Sequence, residues 1–127
     1  EDYGEASKMK YGWLDSYCLS KKGAEKDYKP EWGATRYMVG GRMFAMVGGD
    51  KHGKPIVSLK LEPMHGETLR SEYEDVVPGY YLNKVHWSSV YLDGQVPDNV
   101  LKAMLDESYR LVLEGLGRKA KEEVLTR

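Results

Sequence analysis

The sequence of 127 residues contains one cysteine, Cys18. A single thiol excludes an internal disulfide and any zinc site built from several cysteines. No apolar run approaches the roughly 20 residues that a membrane-spanning helix needs, and no signal-peptide pattern opens the chain. The chain also lacks a basic excess, since 19 Lys and Arg stand against 20 Asp and Glu. Dedicated nucleic-acid-binding proteins usually carry such an excess, so charge alone argues against a polyanionic partner.

The composition that remains is typical of one globular domain. Hydrophobic residues make up 41% and charged residues 31%, which excludes a disordered chain and a membrane composition. A chain of this length buries roughly two-thirds of its unfolded surface, so it needs no metal or disulfide staple. We expect a cytoplasmic protein with a single domain over residues 11–117. Residues 1–10 are predicted to be a flexible segment, native or left from a tag, and residues 118–127 a charged tail.

Hydrophobic periodicity predicts three helices, over residues 11–20, 64–73 and 97–114. The last of these carries an apolar stripe that repeats every 3.6 residues, which is typical of a helix packed on a core. Its predicted core residues are Leu101, Leu105 and Val112.

Strand patterns lie between these helices. The turn Gly40-Gly41 separates two β-prone runs, as in a hairpin. Residues 24–33 are predicted to be a loop, because Pro30 and Gly33 interrupt them. The order α-βββ-α-ββ-α predicts an α+β fold, with an antiparallel five-stranded sheet and helices packed on one face. The five predicted strands are 35–39, 42–47, 55–61, 80–82 and 87–92.

Motifs of catalytic chemistry are scarce. The sequence has no nucleophile elbow, P-loop, zinc-protease helix or dinucleotide-binding fingerprint. Neither His52 nor His65 has a second histidine or cysteine at metal-ligand spacing, so we predict no metal site. Cys18 lies on a helical stripe and is interpreted as a small buried hydrophobe. We predict no cofactor and no catalytic residue, and an enzyme that uses His86 stays open as the alternative.

Residues 78–90 hold the densest group of candidate binding side chains. Aromatic rings interleaved with a cation and an amide suit stacking on a ring while a phosphate or carboxylate is held. A structural interpretation competes with this one. Tyr80 and Trp87 would then pack the sheet, while Asn83 and Lys84 shape the connection. The candidate binding residues, including two flanking cations, are Asn83, Lys84, His86, Trp87, Tyr80, Arg42 and Lys60.

Several short segments together carry a resemblance. They are Tyr17-Cys18-Leu19-Ser20, Val39-Gly40-Gly41-Arg42-Met43-Phe44-Ala45, Ser58-Leu59-Lys60, Pro78-Gly79-Tyr80, Asn83-Lys84, His86-Trp87, Leu92-Asp93-Gly94 and Pro97-Asp98. In their order and spacing the chain resembles the YjbR (MmcQ) family of small bacterial proteins, over about residues 13–121. The resemblance implies an α+β fold similar to that of frataxin and of secretion chaperones. It also implies DNA binding through a surface described as a double wing, and supplies no catalytic residues.

Two functions from different classes follow. The first is a non-enzymatic DNA-binding protein of the YjbR (MmcQ) type, which the resemblance and the cluster of Lys84, His86 and Trp87 favour. The net charge of −1 opposes it. The second is a protein–protein interaction module with no nucleic-acid role, favoured by the chaperone-like fold and the aromatic content. No membrane partner is expected.

Overall fold

The computed structural model describes residues 10–127, so the predicted flexible segment, apart from Lys10, lies outside the described residues. These residues form one antiparallel sheet and four helices. The strands are β1 (Glu25–Lys29), β2 (Ala34–Val39), β3 (Arg42–Gly49), β4 (Pro55–Lys60), β5 (Val76–Pro78) and β6 (Trp87–Tyr91). The helices are α1 (Leu14–Leu19), α2 (Pro63–Glu72), α3 (Asp98–Glu114) and α4 (Arg118–Leu125).

The strands lie in the order β1-β2-β3-β4-β6-β5, and each pairs with its neighbours in antiparallel fashion. The predicted glycine hairpin joins β2 to β3, with Val39 opposite Arg42. Gly40 and Gly41 both have positive φ, 57° and 81°, which this tight turn requires. The α+β class and the antiparallel sheet predicted from the sequence are confirmed.

The predicted count of five strands is corrected to six, because β1 lies within the predicted loop 24–33. β1 is an edge strand, and four of its five residues are exposed. Both of its faces are wet, so it lacks the apolar alternation that marks a half-buried strand. Backbone pairing to β2 holds it instead, with Lys26 opposite Tyr37. The strand predicted at 80–82 is also corrected, because β5 lies earlier, at Val76–Pro78.

Helices cover one face of the sheet. α3 packs across β3 and β4, and α2 packs against β5 and β6. On β4, Val57 and Leu59 belong to the core beneath α3, whereas Ile56 and Ser58 alternate with them and point to the opposite face. The sheet therefore has a helix-covered face and a second face that carries no helix among the described residues.

The predicted stripe of α3 is confirmed as core. Leu101 and Leu105 are fully buried, and Val112 is 5% exposed. Cys18 of α1 is buried in the same core. Its burial, together with the nearby Asp15 carboxylate, raises the pKa of the thiol to about 12, so it stays protonated and unreactive at neutral pH.

The predicted charged tail contains α4. Val124 is buried and packs against Gly23, where a Cβ would lie 2.9 Å from the valine Cγ1. Gly23 has a φ of +71°, so glycine suits both the conformation and the close approach. Ala120 and Val124 form only a narrow apolar side on this helix. Two apolar residues among many charged ones do not make a recognisable helical pattern in the sequence.

Within residues 10–127, no helix is both long enough and apolar enough to cross a membrane.

Candidate functional site

Three adjacent strands bring cations and an indole together at one end of the sheet. Arg42 begins β3, Lys60 ends β4 and Trp87 begins β6. Because these neighbouring strands run antiparallel, the three positions meet at the same end of the sheet. Lys60 is the direct register partner of Trp87. The side chains at these positions line a cavity of about 310 Å³, which we call the cationic cleft. Its lining residues are Arg42, Met43, Lys60, Trp87, Leu111, Val112 and Gly115.

The cations of this cleft are not neutralised. Within residues 10–127, neither the Arg42 guanidinium nor the Lys60 ammonium has a carboxylate within ion-pair distance. Some cations elsewhere are paired, as Arg36 is with Asp27 through two hydrogen bonds of 2.9 and 2.6 Å. The cleft thus presents two positive charges beside an aromatic ring, an arrangement suited to an anionic group attached to a planar one.

A buried serine fixes the position of the cleft. The Ser108 hydroxyl donates to the Phe44 carbonyl over 2.6 Å and accepts the Lys60 backbone N–H over 2.8 Å. The serine is fully buried on α3, so these two bonds tie that helix to β3 and β4. Lys60 is therefore held beneath the C-terminal half of α3, from which Leu111 and Val112 line the cleft.

Asn83, one of the predicted binding residues, shapes the β5–β6 connection. Its side-chain oxygen accepts the backbone N–H groups of Val85 and His86, over 2.9 and 3.1 Å. Its main-chain carbonyl accepts the N–H of Trp87 over 2.9 Å. Asn83 therefore sets the turn from which β6 starts.

Lys84 and Tyr80 also contact the connection itself. The Lys84 ammonium donates to the Gly79 carbonyl and lies 6.0 Å from the centre of the Tyr80 ring. A Cβ on Gly79 would lie 2.9 Å from the Trp87 carbonyl oxygen, so this glycine lets the chain pass close to β6. Among residues 10–127, these contacts give the Lys84 side chain a hydrogen-bond partner, and the side chains of Arg42 and Lys60 have none.

His86 is exposed beside the cleft. Its Nδ1 lies 3.3 Å from the Asn83 side-chain oxygen, and no carboxylate among residues 10–127 pairs with it. The structure thus brings Arg42, Lys60 and Trp87 into one cavity and leaves the other four predicted residues along the connecting loop.

A second concave surface, which the sequence did not reveal, lies toward the opposite end of β3 and β4. It is a groove of about 1120 Å³, and three of its lining side chains are exposed aromatic rings. Tyr28, Trp32 and Tyr81 are 60%, 56% and 70% exposed. We call this surface the aromatic groove. Its remaining lining includes Gly12, Leu14, Asp15, Lys26, Glu31, Gly33, Ala34, Thr35, Tyr37, Met46, Val47, Gly48, Gly49, Asp50, Ile56, Ser58 and Leu82.

Tyr81 combines backbone strain with exposure. Its φ is +68°, the only positive value of a non-glycine residue within residues 10–127. A tyrosine rarely adopts this left-handed conformation, and such strain concentrates at ligand-contacting positions. The Tyr81 ring lies 5.9 Å from that of Tyr80, measured between ring centres.

Trp32 is held in place by cations from two strands. The Lys29 ammonium lies 5.3 Å from the centre of its ring, and the Arg36 guanidinium 5.7 Å. Arg36 is itself fixed by its two hydrogen bonds to Asp27. The indole is therefore positioned by its neighbours although more than half of it faces solvent.

A buried carboxylate closes one end of the aromatic groove. Asp50 accepts the backbone N–H groups of His52 and Lys54 on Oδ1, and the Tyr91 hydroxyl on Oδ2 over 2.8 Å. Burial alone would raise the pKa of Asp50, but the hydrogen bond from Tyr91 and the two backbone donors outweigh it, so the pKa is lowered. Burial and the hydrogen bonds to Tyr80 and Asp50 raise the pKa of Tyr91.

This pKa shift gives a pH-dependent stability. A carboxyl whose folded pKa is lowered stabilises the fold above its unfolded pKa, and this stabilisation is lost as the pH falls through the folded value. We expect Asp50→Asn to unfold at lower urea concentration than the wild type at pH 7. The difference should shrink as the pH drops below the ordinary range of an aspartate. Urea titrations across this range measure it, and a difference that does not change with pH contradicts the assignment.

The described residues contain no metal-binding cluster. Among residues 10–127, no group of three or more His, Cys, Asp or Glu side chains is placed to hold a metal ion. His65 is paired with Glu107, at 2.6 Å between Nδ1 and Oε1, on the exposed surface. The two cavities bring together cationic and aromatic side chains.

The fold and its cavities define a class: a small α+β domain whose sheet is covered by helices on one face and carries two concave surfaces. The YjbR family model matches residues 19–111. The Escherichia coli K12 protein YjbR, described as uncharacterised, is 45% identical over 97 residues, which cover 76% of this chain and 81% of the relative. The chain belongs to the YjbR family, as the resemblance predicted.

More distant relatives extend the match along the chain. The Bacillus subtilis protein YyaQ is 27% identical over 120 residues, which cover 87% of this chain and 95% of that protein. The crystal structure of Deinococcus radiodurans protein DR2400, with a domain of the family model DUF419, superposes with a TM-score of 0.78 at 32% identity. That superposition covers 90% of this chain and 86% of the other. A Pseudomonas syringae protein shares the fold, with a TM-score of 0.70 at 18% identity, over 79% of this chain and 96% of that one.

Proposed function

We propose that the protein is a non-enzymatic nucleic-acid-binding module of the cytoplasm, and that the cationic cleft is where it contacts phosphate. The carrying observation is that Arg42 and Lys60 line one cavity with Trp87 and have no acidic partner among residues 10–127. Guanidinium and ammonium groups are the usual donors to phosphate oxygens in protein–nucleic acid complexes.

The overall charge of −1 does not exclude nucleic-acid binding, but it leads us to expect weak binding. Some cations outside the cleft are neutralised locally, as Lys26 is by Asp15 at 2.8 Å. The two unpaired cations of the cleft can contact only a few phosphates. Binding should therefore be weak and should fall with salt less steeply than for a protein that covers many phosphates.

Removing both cleft cations should weaken binding and flatten its salt dependence. We expect Arg42→Ala/Lys60→Ala to lower the affinity for labelled DNA by about tenfold or more, because a hydrogen bond to a charged group contributes about 1.5–3 kcal/mol. The slope of log K against log salt should decrease by about one to two units. Fluorescence anisotropy at several salt concentrations measures both quantities.

The control variant is Lys22→Ala/Lys51→Ala. It removes two exposed cations that line neither cavity. This variant should bind DNA with the affinity of the wild type. Its slope of log K against log salt should change by less than that of the cleft variant. Equal losses in the two variants would assign the binding to diffuse charge, and an absence of DNA binding by the wild type at low salt would refute the proposal.

A protein–protein interaction module is the second candidate, and one observation favours it. The three rings of the aromatic groove are exposed, and exposed aromatic residues are enriched at protein interfaces. The charge balance of −1 is also ordinary for such a module. Retention of one defined protein partner by the cleft variant, with no DNA binding by the wild type, would favour this second candidate.

A further inference from the structure

We infer that the aromatic groove is a second binding site, which stacks the unpaired bases of single-stranded nucleic acid. The inference deepens the proposed function and rests on it, because it names the form of nucleic acid that the module selects. Its starting point is the presence of three exposed rings in one cavity, Tyr28, Trp32 and Tyr81. Bases that are not paired expose both π-faces, and such rings bind them without regard to sequence.

The size of the groove fits more than one ring. Its volume of about 1120 Å³ exceeds the roughly 300–1,000 Å³ of a pocket for one small molecule. Gly48 and Gly49 at the end of β3 add no side chains to the lining, and Met46 and Ile56 add apolar surface. A paired base cannot enter, because both of its faces are covered by neighbours in the duplex. The groove therefore selects single strands.

Charges near the groove leave one cation for the sugar–phosphate backbone. Two acidic side chains are neutralised, Asp15 by Lys26 and Asp27 by Arg36. Lys29 has no acidic partner among residues 10–127, and its ammonium lies 5.3 Å from the centre of the Trp32 ring. Lys54 lies near one end of the groove, 5.2 Å from the centre of the Tyr91 ring, and is paired with Asp93 at 3.9 Å.

Two carboxylates of the lining oppose a polyanion, the buried Asp50 and Glu31. Glu31 lines the groove, is exposed, and has no hydrogen-bond or ion-pair partner among residues 10–127. The inference therefore predicts that Glu31→Gln strengthens single-strand binding, and that the gain is larger at low salt because exposed charges are then less screened. An apolar or basic peptide in the same groove would gain nothing from this substitution.

The backbone of Tyr81 separates a binding role from a structural one. Glycine adopts positive φ without strain, so Tyr81→Gly should leave thermal stability unchanged or raise it. The same substitution removes a ring that is 70% exposed. If the ring stacks on bases, Tyr81→Gly weakens single-strand binding in a protein that is folded at least as well as the wild type.

The experiment compares a labelled oligothymidine with a duplex of the same length. The wild type should bind the single strand more tightly, by about tenfold. Trp32→Ala and Tyr81→Gly should each weaken single-strand binding by about 5- to 150-fold, the range reported by alanine substitution for one stacked base, and should leave duplex binding unchanged. Trp32→Phe is the matched control, since it keeps a ring and should retain most of the affinity.

Intrinsic fluorescence gives a second readout. The chain has three tryptophans, and Trp32 is the one that lines the groove. Stacking of a base on Trp32 should quench the fluorescence, and Trp32→Phe should abolish that quenching. Neutral adenosine, which has no phosphate, tests the groove alone and should quench Trp32 in a saturable way.

The outcomes separate this inference from the proposed function. Equal affinity for duplex and single strand, with unchanged affinity in Trp32→Ala and Tyr81→Gly, overturns the groove and leaves the cleft proposal standing. Saturable quenching by adenosine that Trp32→Phe abolishes, with binding of neither oligothymidine nor the duplex, supports stacking in the groove and overturns the proposed function. No quenching by either probe overturns the groove.

Discussion

Leu105→Ala should lower the free energy of unfolding by roughly 2–5 kcal/mol, the largest effect we expect from any single substitution. Leu105 is fully buried at the centre of α3, which packs across β3 and β4. Its truncation removes apolar contacts and leaves a cavity that the sheet and the helix cannot fill without moving. In a domain of this size the melting temperature should fall by about 10 °C or more.

Met64→Ala is the control for this experiment. Met64 lies in the first turn of α2 and is 81% exposed, so its truncation should change stability by less than about 0.5 kcal/mol. Urea denaturation of both variants measures the difference. A loss below about 1 kcal/mol for Leu105→Ala contradicts the position of the α3 stripe in the core.

Ser108→Ala should cost about 2–4 kcal/mol, more than a serine truncation usually does. The hydroxyl satisfies two backbone groups at once, the carbonyl of Phe44 and the N–H of Lys60. Alanine leaves both without a partner in a site from which water is excluded, and each unsatisfied group costs about 1–3 kcal/mol. The same substitution frees the Lys60 backbone from α3, so it should also weaken the DNA contact that we propose for the cationic cleft.

Ser71→Ala provides the comparison. Ser71 is an exposed helical serine whose hydroxyl donates to the Thr68 carbonyl over 2.9 Å. Its removal should change stability by no more than about 0.5 kcal/mol, because water replaces the lost bond. Similar losses for Ser108→Ala and Ser71→Ala, measured by chemical denaturation, would show that the buried bridge does not stabilise the fold.

The fold could be predicted where hydrophobic residues repeat with a local period. The stripe of α3 recurs every 3.6 residues, and Val57 and Leu59 alternate along β4. Those periods exist because one side of each element is buried. β1 has no buried side, and α4 buries mainly Val124, so neither produced a pattern that could be recognised.

The candidate site was predicted in part for a similar reason. Trp87 was selected because aromatic and polar residues are dense around it, and Arg42 and Lys60 as flanking cations. The same density of aromatic and polar residues led us to predict Asn83 and Lys84 as binding residues. In the structure their side chains accept or donate hydrogen bonds within the connection before β6. Sequence proximity does not distinguish a side chain that binds its own backbone from one that faces a cavity.

The sequence by itself determined the class of fold, the core of α3 and the hairpin of β2 and β3, because each depends on a pattern within a few residues. It also carried the resemblance to the YjbR family, which the family match confirms. Only the tertiary structure decided which distant residues meet. Arg42, Lys60 and Trp87 share a cleft because the termini of three neighbouring antiparallel strands meet at one end of the sheet. Trp32 and Tyr81 share a groove because the β1–β2 and β5–β6 connections both border it. Backbone pairing sets these neighbours, and a linear sequence carries no local signal of it.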